Sequence, residues 1–205
     1  MQYLKYDVKN RIITAARDEF KEKGYSSASM RRISQNAGAA LGNLYRYFKN
    51  KEDLFDSLVG PVCDNIYEFI AKIRNVPTAP SDPNAPAGPV QLREINAFKE
   101  DLLEICKDHN TELFILMNKS RGSKFENVKS DMISIISDIL THQLLIPAEK
   151  KGIVIRDGYL ATVLSTSLVE GFSLIIRKYE NGEDAKMLTD QLINIIFTDI
   201  ENRIG

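Results

Sequence analysis

The spacing of apolar residues is the feature that most constrains this fold. Apolar side chains recur three and four positions apart along nearly all of the 205-residue chain, and nothing in its first two thirds alternates with the period of a strand. Such spacing places apolar side chains on one face of an α-helix. The pattern predicts an all-α protein of about nine helices, and the 43% hydrophobic content allows a well-buried core.

Three short helices are predicted before residue 50. The first spans roughly residues 8–23 and ends at Gly24, a residue suited to a helix C-terminus. Ser29 is the expected N-cap of the second helix, which ends at Gly38. The third runs from Leu41 to Phe48, so that two short helices joined by a glycine-containing turn form a helix-turn-helix over residues 29–48.

A proline-rich segment separates these helices from the rest of the chain. Asn50 is the expected N-cap of a fourth helix reaching about Arg74, with Asp53 completing a capping box. In residues 75–91 a proline falls at every third position, which favours a mobile connection, with a polyproline II segment as the alternative. Further helices are predicted near residues 90–109, 111–120, 125–150, 157–180 and 183–203, with Pro147 kinking or splitting one of them.

Charge is divided unevenly along the chain. The formal net charge is −1, but the first 55 residues hold eleven Lys and Arg against six Asp and Glu, a net of +5. The remainder holds 16 against 22, a net of −6. This distribution favours a protein that binds nucleic-acid phosphates through its N-terminal region only.

Several classes of protein are disfavoured by what the chain contains. With two histidines, His109 and His142, and no phosphate-binding glycine loop or metal-ligand spacing, neither an enzyme nor a cofactor or metal site is expected. Cys63 and Cys106 lack a CxxC partner and are expected to be buried thiols. The absence of a long apolar run and the polar N-terminal stretch predict a cytoplasmic protein that does not enter membranes.

The third helix carries the side chains best suited to reading DNA. If Leu44 and Phe48 face the core, Asn43 and Arg46 point outward, where Asn can pair with adenine and Arg with guanine; a phosphate contact is the alternative for Arg46. Gly42 costs about 1 kcal/mol relative to Ala in a helix. This cost indicates close approach to a groove or close packing against the second helix.

Lys51 is expected in the first turn of the fourth helix, where the helix dipole disfavours a cation. We therefore expect a group outside the helix, such as a DNA phosphate, to bind the lysine. A solvated lysine is the alternative.

From Gly24 to Phe55 the chain resembles the TetR family of DNA-binding regulators. The matching positions are Gly24, Ser29, Ile33-Ser34, Gly38-Ala39-Ala40, Gly42, Tyr45, Tyr47, Phe48, Lys51, Glu52 and Leu54. Ala40 departs from the family, which usually has a Ser or Thr there as the cap of the recognition helix. Loss of such a cap costs about 0.5 to 2 kcal/mol of helix stability, so this helix is expected to become ordered on DNA.

The resemblance implies a helix-turn-helix DNA-binding domain over residues 6–66 and a larger ligand-binding and dimerisation domain over residues 67–205. The expected function is a repressor that binds a palindromic operator as a homodimer and is released by a small hydrophobic effector. A constitutive DNA-binding dimer, a ligand-dependent activator and a helical adaptor without DNA binding are the alternatives. The expected location is the bacterial cytoplasm, on the nucleoid when DNA is bound. The DNA contacts are expected at Ser29, Arg31, Leu41, Gly42, Asn43, Tyr45, Arg46, Tyr47, Lys49 and Lys51.

The resemblance also places an effector pocket among the fourth to eighth helices. Its expected lining is Tyr67, Phe98, Phe114, Met117, Asn118, Met132 and Phe172, with ordinary core packing as the alternative for each.

The last two predicted helices each carry an apolar stripe too wide for burial on one side, which favours contact with a second copy of the chain. A completely internal helix pair is the alternative. The expected interface residues are Leu164, Leu168, Gly171, Ile175, Leu192, Ile196 and Ile200, with Gly171 near a close crossing of helices.

Overall fold

The computed structural model describes the backbone of residues 2–75, 90–150, 152–155 and 157–197, and the side chains of these residues except 2–6 and 90–98. Within these ranges the chain is helical and has no strand, which confirms the all-α prediction. Residues 76–89 of the predicted link lie outside the description. The helices are α1 (Gln2–Ser27), α2 (Met30–Asn36), α3 (Leu41–Tyr47), α4 (Lys51–Arg74), α5 (Val90–Asp108), α6 (Asn110–Asn118), α7 (Val128–Leu140), α8 (Ile146–Lys150), α9 (Tyr159–Lys178) and α10 (Gly182–Phe197).

The helix ends in the N-terminal region follow local chemistry. Gly24 has a φ of 72° and interrupts α1, and Gly38, with a φ of 61°, follows α2; this left-handed region is inexpensive only for glycine. Asn50 Oδ1 accepts a hydrogen bond from the Asp53 N–H at 2.8 Å, and Asp53 Oδ2 accepts one from the Lys49 N–H at 2.8 Å. The predicted boundaries at Gly24, Gly38 and Asn50 are confirmed, although α1 begins before the predicted residue 8.

Two prolines lie inside helical segments. Pro61 stands within α4, where it has no N–H to donate to the Ser57 carbonyl. Pro147 lies in α8, and a π-helical turn over Thr141–Leu145 precedes it. The expected interruption near Pro147 is therefore observed as a π-helical turn. Such turns are common where the regular hydrogen-bond pattern of an α-helix is broken.

The chain divides into two compact units. The first, which we call the head, comprises Met1–Asp64 and His109–Val128, and the second, the body, comprises Asn65–Asp108 and Lys129–Gly205. The predicted border after residue 66 is close to the observed one, but residues 109–128, expected in the larger domain, belong to the head. The head sequence holds fourteen basic against ten acidic residues, and the body sequence thirteen against eighteen.

Each unit has its own packed helices. In the head, α1 packs on α2, α3 and α6, and in the body, α10 packs on α5 and α9. The head core contains Phe20 and Phe55, both fully buried, whose ring centroids lie 4.8 Å apart with an edge of one ring on the face of the other. Leu44 of α3 is also fully buried, so α3 is fixed to this core by its apolar side.

Helix α9 departs from the expectation that no apolar run approaches a membrane-spanning length. Its 20 residues, Tyr159–Lys178, are long and apolar enough to cross a bilayer by length and composition. A core helix can have the same properties. In the body, α9 packs on α10 and buries Ser165 and Ser173 with its apolar side chains.

Candidate DNA-binding surface and ligand cavity

Helix α3 presents one side to the head core and the other to solvent. Leu44 and Phe48 are buried, whereas Asn43 and Arg46 are exposed and lie near each other, with Arg46 Nη1 3.4 Å from Asn43 Oδ1. The predicted outward direction of both side chains is therefore observed. Helix α3 is present and Ala40 supplies no side-chain cap, as expected, while its ordering on DNA stays a prediction.

The exposed side of α3 is open and partly apolar. A Cβ atom added at Gly42 would have no atom within 4 Å, which excludes close packing of α2 on α3 as the reason for this glycine. Leu41 and Tyr45 are 39% and 48% exposed. We call these positions the reading face: Leu41, Gly42, Asn43, Tyr45 and Arg46. Lys49 follows as an exposed cation, and Tyr47 is half-buried.

The start of α2 is held by a side-chain cap and an ion pair. Ser29 Oγ accepts from the Arg32 N–H at 3.4 Å, as the N-cap prediction requires. The Arg32 guanidinium donates to Glu19 Oε1 at 2.6 Å and to the Ser27 carbonyl at 2.8 Å. Arg32 is thus occupied within the head, whereas the neighbouring Arg31 is exposed.

Glu19 is the buried carboxylate of this ion pair, with 4% of its surface exposed. Burial raises the pKa of Glu19, but the hydrogen bonds from Arg32 and from the Ser29 N–H outweigh burial and leave the pKa below its usual value. The carboxylate therefore stays ionised at neutral pH and joins α1 to the start of α2.

Lys51 is bound within the head. Its Nζ lies 2.7 Å from the Tyr25 carbonyl oxygen, 3.2 Å from that of Ser26 and 3.4 Å from that of Ala28. The ammonium also stands 4.5 Å from the centroid of the Tyr25 ring. Carbonyls at the end of a helix attract cations, and three of them match the three donors of an ammonium. A group outside α4 therefore binds this charge, as expected, and that group is a set of carbonyls of the head. A contact between Lys51 and a DNA phosphate stays a prediction.

Tyr25 connects this lysine to other parts of the head. Its N–H donates to the Lys119 carbonyl at 2.8 Å, and its ring packs on Phe55 with centroids 5.0 Å apart. Burial, together with a hydrogen bond to the Glu52 carboxylate, raises the pKa of Tyr25 to about 12. The phenol therefore remains a hydrogen-bond donor at all physiological pH values.

A basic loop after α6, Lys119–Lys124, also belongs to the head. Only the gap between two predicted helices pointed to a loop here. Ser26 Oγ donates to the Arg121 carbonyl. The Lys124 N–H donates to Glu52 Oε1 at 3.1 Å, and Lys124 Nζ lies 2.7 Å from Asp56 Oδ1. The loop is therefore fixed beside the turn that joins α1 to α2.

The body contains an apolar cavity of about 100 Å³. Its lining is Ile66, Phe69, Ile70, Ile73, Lys99, Leu102, Met132, Ile136, Ile139, Leu168, Val169, Phe172, Thr189, Leu192, Ile193 and Phe197. Lys99 is the charged residue of this lining, and its Nζ lies 2.7 Å from Asp190 Oδ1 and 3.2 Å from Asn194 Oδ1.

Of the residues expected to line an effector pocket, Met132 and Phe172 line this cavity. Tyr67 does not line the cavity, because the side of α4 that faces the cavity carries Ile66 and Ile70 instead. Another three expected residues belong to α6 in the head and do not line it: Phe114, Met117 and Asn118. The side chain of Phe98 lies outside the described residues.

The residues expected at a dimer interface mostly face the body's own interior. Leu164 packs against a buried cluster that includes Leu140 and Leu144, and Leu168 and Leu192 line the cavity. A Cβ atom at Gly171 would lie 3.0 Å from Leu192 Cδ2, so the close crossing at this glycine is made within one chain.

Other apolar side chains of α9 and α10 face solvent instead. Val163 and Leu174 are 46% and 52% exposed, and Met187 and Ile195 are 53% and 69% exposed. We call these four residues the outer apolar face. Ile175 and Ile196 are half-buried, and Ile200 lies outside the described residues.

The head matches the family model described as bacterial regulatory proteins, tetR family, over residues 12–58. The chain is also 27% identical over 158 residues to the fatty acid metabolism regulator protein of Bacillus subtilis strain 168, a match that covers 71% of this chain and 72% of that protein.

Solved structures share the fold. A member of the TetR transcriptional regulator family from Streptomyces coelicolor A3 superposes with a TM-score of 0.64 at 16% identity, covering 91% of this chain and 89% of that one. AibR, solved in complex with isovaleryl coenzyme A and operator DNA, has a TM-score of 0.56 at 18% identity, covering 93% of this chain and 98% of that one.

The matched proteins are regulators, which confirms the prediction of a regulator rather than an enzyme. Their likeness extends from the helix-turn-helix sequence to the all-helical architecture of the described residues. Residues 12–58 of the chain therefore match the tetR family of bacterial regulatory proteins, and the described residues share the fold of solved structures from that family.

Proposed function

We propose that this chain is a cytoplasmic repressor that binds a palindromic operator as a homodimer and leaves it when a small apolar effector enters the body cavity. The observation that carries the proposal is the reading face, which directs Asn43 and Arg46 to solvent from a head with a net positive charge. A dimer presents two such helices to successive major grooves, about 34 to 36 Å apart. A helical adaptor without DNA binding would give these exposed side chains no role.

The residues of the head divide into different roles. Asn43 and Arg46 read base edges, while Leu41, Gly42 and Tyr45 bring apolar and aromatic surface against the groove. The exposed or capping positions Ser29, Arg31 and Lys49 contact phosphates and set the register of the head on the duplex. Lys51 and the half-buried Tyr47 support the reading face from within the head, Lys51 through the Tyr25 carbonyl.

The dimension of the cavity indicates the size of the effector. An apolar cavity of about 150 Å³ holds one benzene molecule, whereas drug-sized ligands need about 300 to 1,000 Å³. At about 100 Å³ the present cavity is smaller than the one that holds benzene, so it suits a chain of only a few carbon atoms. The relatives point to acyl chemistry, since one is a fatty acid metabolism regulator and another was solved with isovaleryl coenzyme A. We therefore propose a short acyl group, as the free acid or its thioester, beside Lys99, whose ammonium pairs with Asp190.

Two helices connect this cavity to the head through the chain itself. Helix α4 starts at Lys51 and carries Ile66 and Phe69 into the lining, and α7, which follows the head segment 109–128, carries Met132. An effector that favours one arrangement of these helices shifts the equilibrium by its difference in affinity. Couplings of about 1 to 3 kcal/mol change affinity about 5- to 150-fold, which suffices for induction.

Asn43→Ala tests the DNA-reading role directly. A preferred duplex is first selected from a random library with the wild-type protein, and affinities for the selected and a random duplex are then compared. We expect the variant to lose about 1 to 3 kcal/mol of preference at one base pair and to keep its affinity for the random duplex. Asn10→Ala, an exposed amide of α1 outside the helix-turn-helix, is the matched control and should change neither value.

Equal losses on both duplexes would make Asn43 a structural residue. Failure of the wild-type protein to select any sequence would overturn the proposed operator.

A further inference from the structure

The basic loop Lys119–Lys124 is held to the head chiefly through its backbone. The Lys119 carbonyl accepts from the Tyr25 N–H at 2.8 Å, and the Arg121 carbonyl accepts from Ser26 Oγ. Gly122, with a φ of 85°, donates its N–H to Glu126 Oε2 at 2.9 Å. A side chain at Gly122 would lie 2.7 Å from Ser26 Oγ, so the glycine allows this close contact. The loop therefore has a defined position that does not depend on most of its side chains.

The three cationic side chains of this loop differ in their contacts. Lys124 pairs with Asp56 at 2.7 Å, and Lys119 Nζ stands 5.7 Å from the centroid of the Phe114 ring. Arg121 is exposed, and its guanidinium makes no hydrogen bond or ion pair within the described part of the chain. The backbone of Arg121 is thus fixed, while its charged side chain has no partner among the described residues.

The place of Arg121 in the head relates it to the DNA duplex. Its backbone lies beside Ser26, at the end of α1, and Ser29 and the exposed Arg31 follow at the start of α2. In a helix-turn-helix with its recognition helix in the major groove, the preceding helix crosses the sugar-phosphate backbone. Arg121 therefore neighbours the part of the head that meets that backbone.

We propose that Arg121 binds a phosphate of the DNA duplex, which makes the basic loop a second DNA-contacting element outside the helix-turn-helix. The proposal rests on the proposed function, because it requires the reading face to enter the major groove. A phosphate contact is independent of sequence, so it adds affinity and salt dependence without base preference.

The test measures binding of a fluorescently labelled random-sequence duplex by anisotropy between about 50 and 200 mM NaCl. We expect Arg121→Ala to reduce the slope of log affinity against log salt by about 0.9 for each protomer bound, because one phosphate contact is lost. Arg121→Lys keeps the charge and should keep most of the slope. Arg177→Ala, which removes an exposed arginine at the end of α9, is the matched control and should bind as the wild type does.

A second arm identifies the ligand group. In duplexes with single neutral methylphosphonates, one substitution should weaken the wild-type protein but not Arg121→Ala. Melting temperatures are compared throughout, and Arg121→Gln replaces Arg121→Ala if the latter is less stable.

Equal slopes for the folded Arg121 variants and the wild type would overturn the proposal, as would an equal loss for Arg177→Ala. A wild-type protein that binds no duplex at about 50 mM NaCl would instead overturn the proposed function.

Discussion

Some charged residues of the head form hydrogen bonds and ion pairs that connect its helices, whereas others face solvent. Lys51 binds three carbonyls at the end of α1, and Glu19 holds both the Arg32 guanidinium and the Ser29 N–H. Buried or half-buried polar groups that lose their partner cost about 1 to 3 kcal/mol each. Removing such a charge should therefore reduce the stability of the head rather than only its attraction to DNA.

Lys51→Met and Lys49→Met compare a lysine that stabilises the head with one that is expected to bind DNA. Lys51→Met keeps the aliphatic stem but removes the ammonium that donates to the three carbonyls. We expect it to destabilise the protein by about 1 to 3 kcal/mol, with a salt slope of DNA binding close to that of the wild type. Lys49 is exposed, so Lys49→Met should leave the melting temperature unchanged and lower the slope by about 0.9 for each protomer.

Thermal unfolding and fluorescence anisotropy provide the two measurements. If Lys51→Met keeps its melting temperature and loses slope, Lys51 contacts phosphate after all.

Helices α9 and α10 each carry apolar side chains on two sides. Their inner sides meet within the chain, where Gly171 approaches Leu192 and both helices line the cavity. Their outer apolar face, Val163, Leu174, Met187 and Ile195, is exposed. Several large apolar side chains on neighbouring helices are more than the scattered exposure usual for a monomer. This surface is therefore the one we expect a second copy of the chain to cover.

Leu174→Asp and Ile195→Asp test that expectation. Each places a charge within the outer apolar face, and we expect either to shift the protein from dimer to monomer at micromolar concentration in light scattering. Val154→Asp is the matched control, because Val154 is an apolar residue that is 82% exposed and lies outside both helices. Gly171→Arg is unsuitable, since it would collide with Leu192 of the same chain.

A wild-type monomer, or a dimer that survives both substitutions, would contradict the expected interface.

Helix boundaries were predictable because they depend on neighbours in sequence. Ser29 caps the amide of Arg32, three residues later, and glycine at residue 24 needs only its own backbone conformation. The width of the apolar stripe on α9 indicated burial on two sides, but a stripe wider than one face does not reveal which residues point inward. Leu168 and Leu192, which were expected at a dimer interface, line the cavity of their own chain for this reason.

Contacts between distant parts of the sequence could not be predicted from local patterns. The bond between Ser26 and Arg121 joins residues that no local pattern relates, so residues 109–128 were assigned to the wrong unit. The same limit applies to Lys51, whose partners lie in α1.

In the whole molecule, α4 extends from the head into the body. Pro61 removes one hydrogen bond near the middle of α4, so bending there costs less than in an uninterrupted helix. A change in the cavity lining, to which α4 contributes Ile66 and Phe69, can therefore be accommodated by a bend without unfolding the helix.

Isovaleryl coenzyme A tests the effector proposal. We expect it to raise the melting temperature and to weaken binding to the selected duplex about 5- to 150-fold, whereas palmitoyl coenzyme A should have a smaller effect because its chain exceeds the cavity. Val169→Phe fills the cavity and should abolish the response, while Val154→Phe, outside it, should not. Compounds that bind without changing DNA affinity would make the protein a constitutive DNA-binding dimer.

The head sequence carries a net charge of +4 and the body sequence −5, although the whole chain is close to neutral. Near a duplex, the negative field attracts one unit and repels the other, which produces a torque as well as a force. Many encounters would then begin with the head already turned towards the DNA. Because this field decays over about 8 Å at physiological ionic strength, added salt should slow association by making first collisions less oriented, even for a protein with so small a total charge.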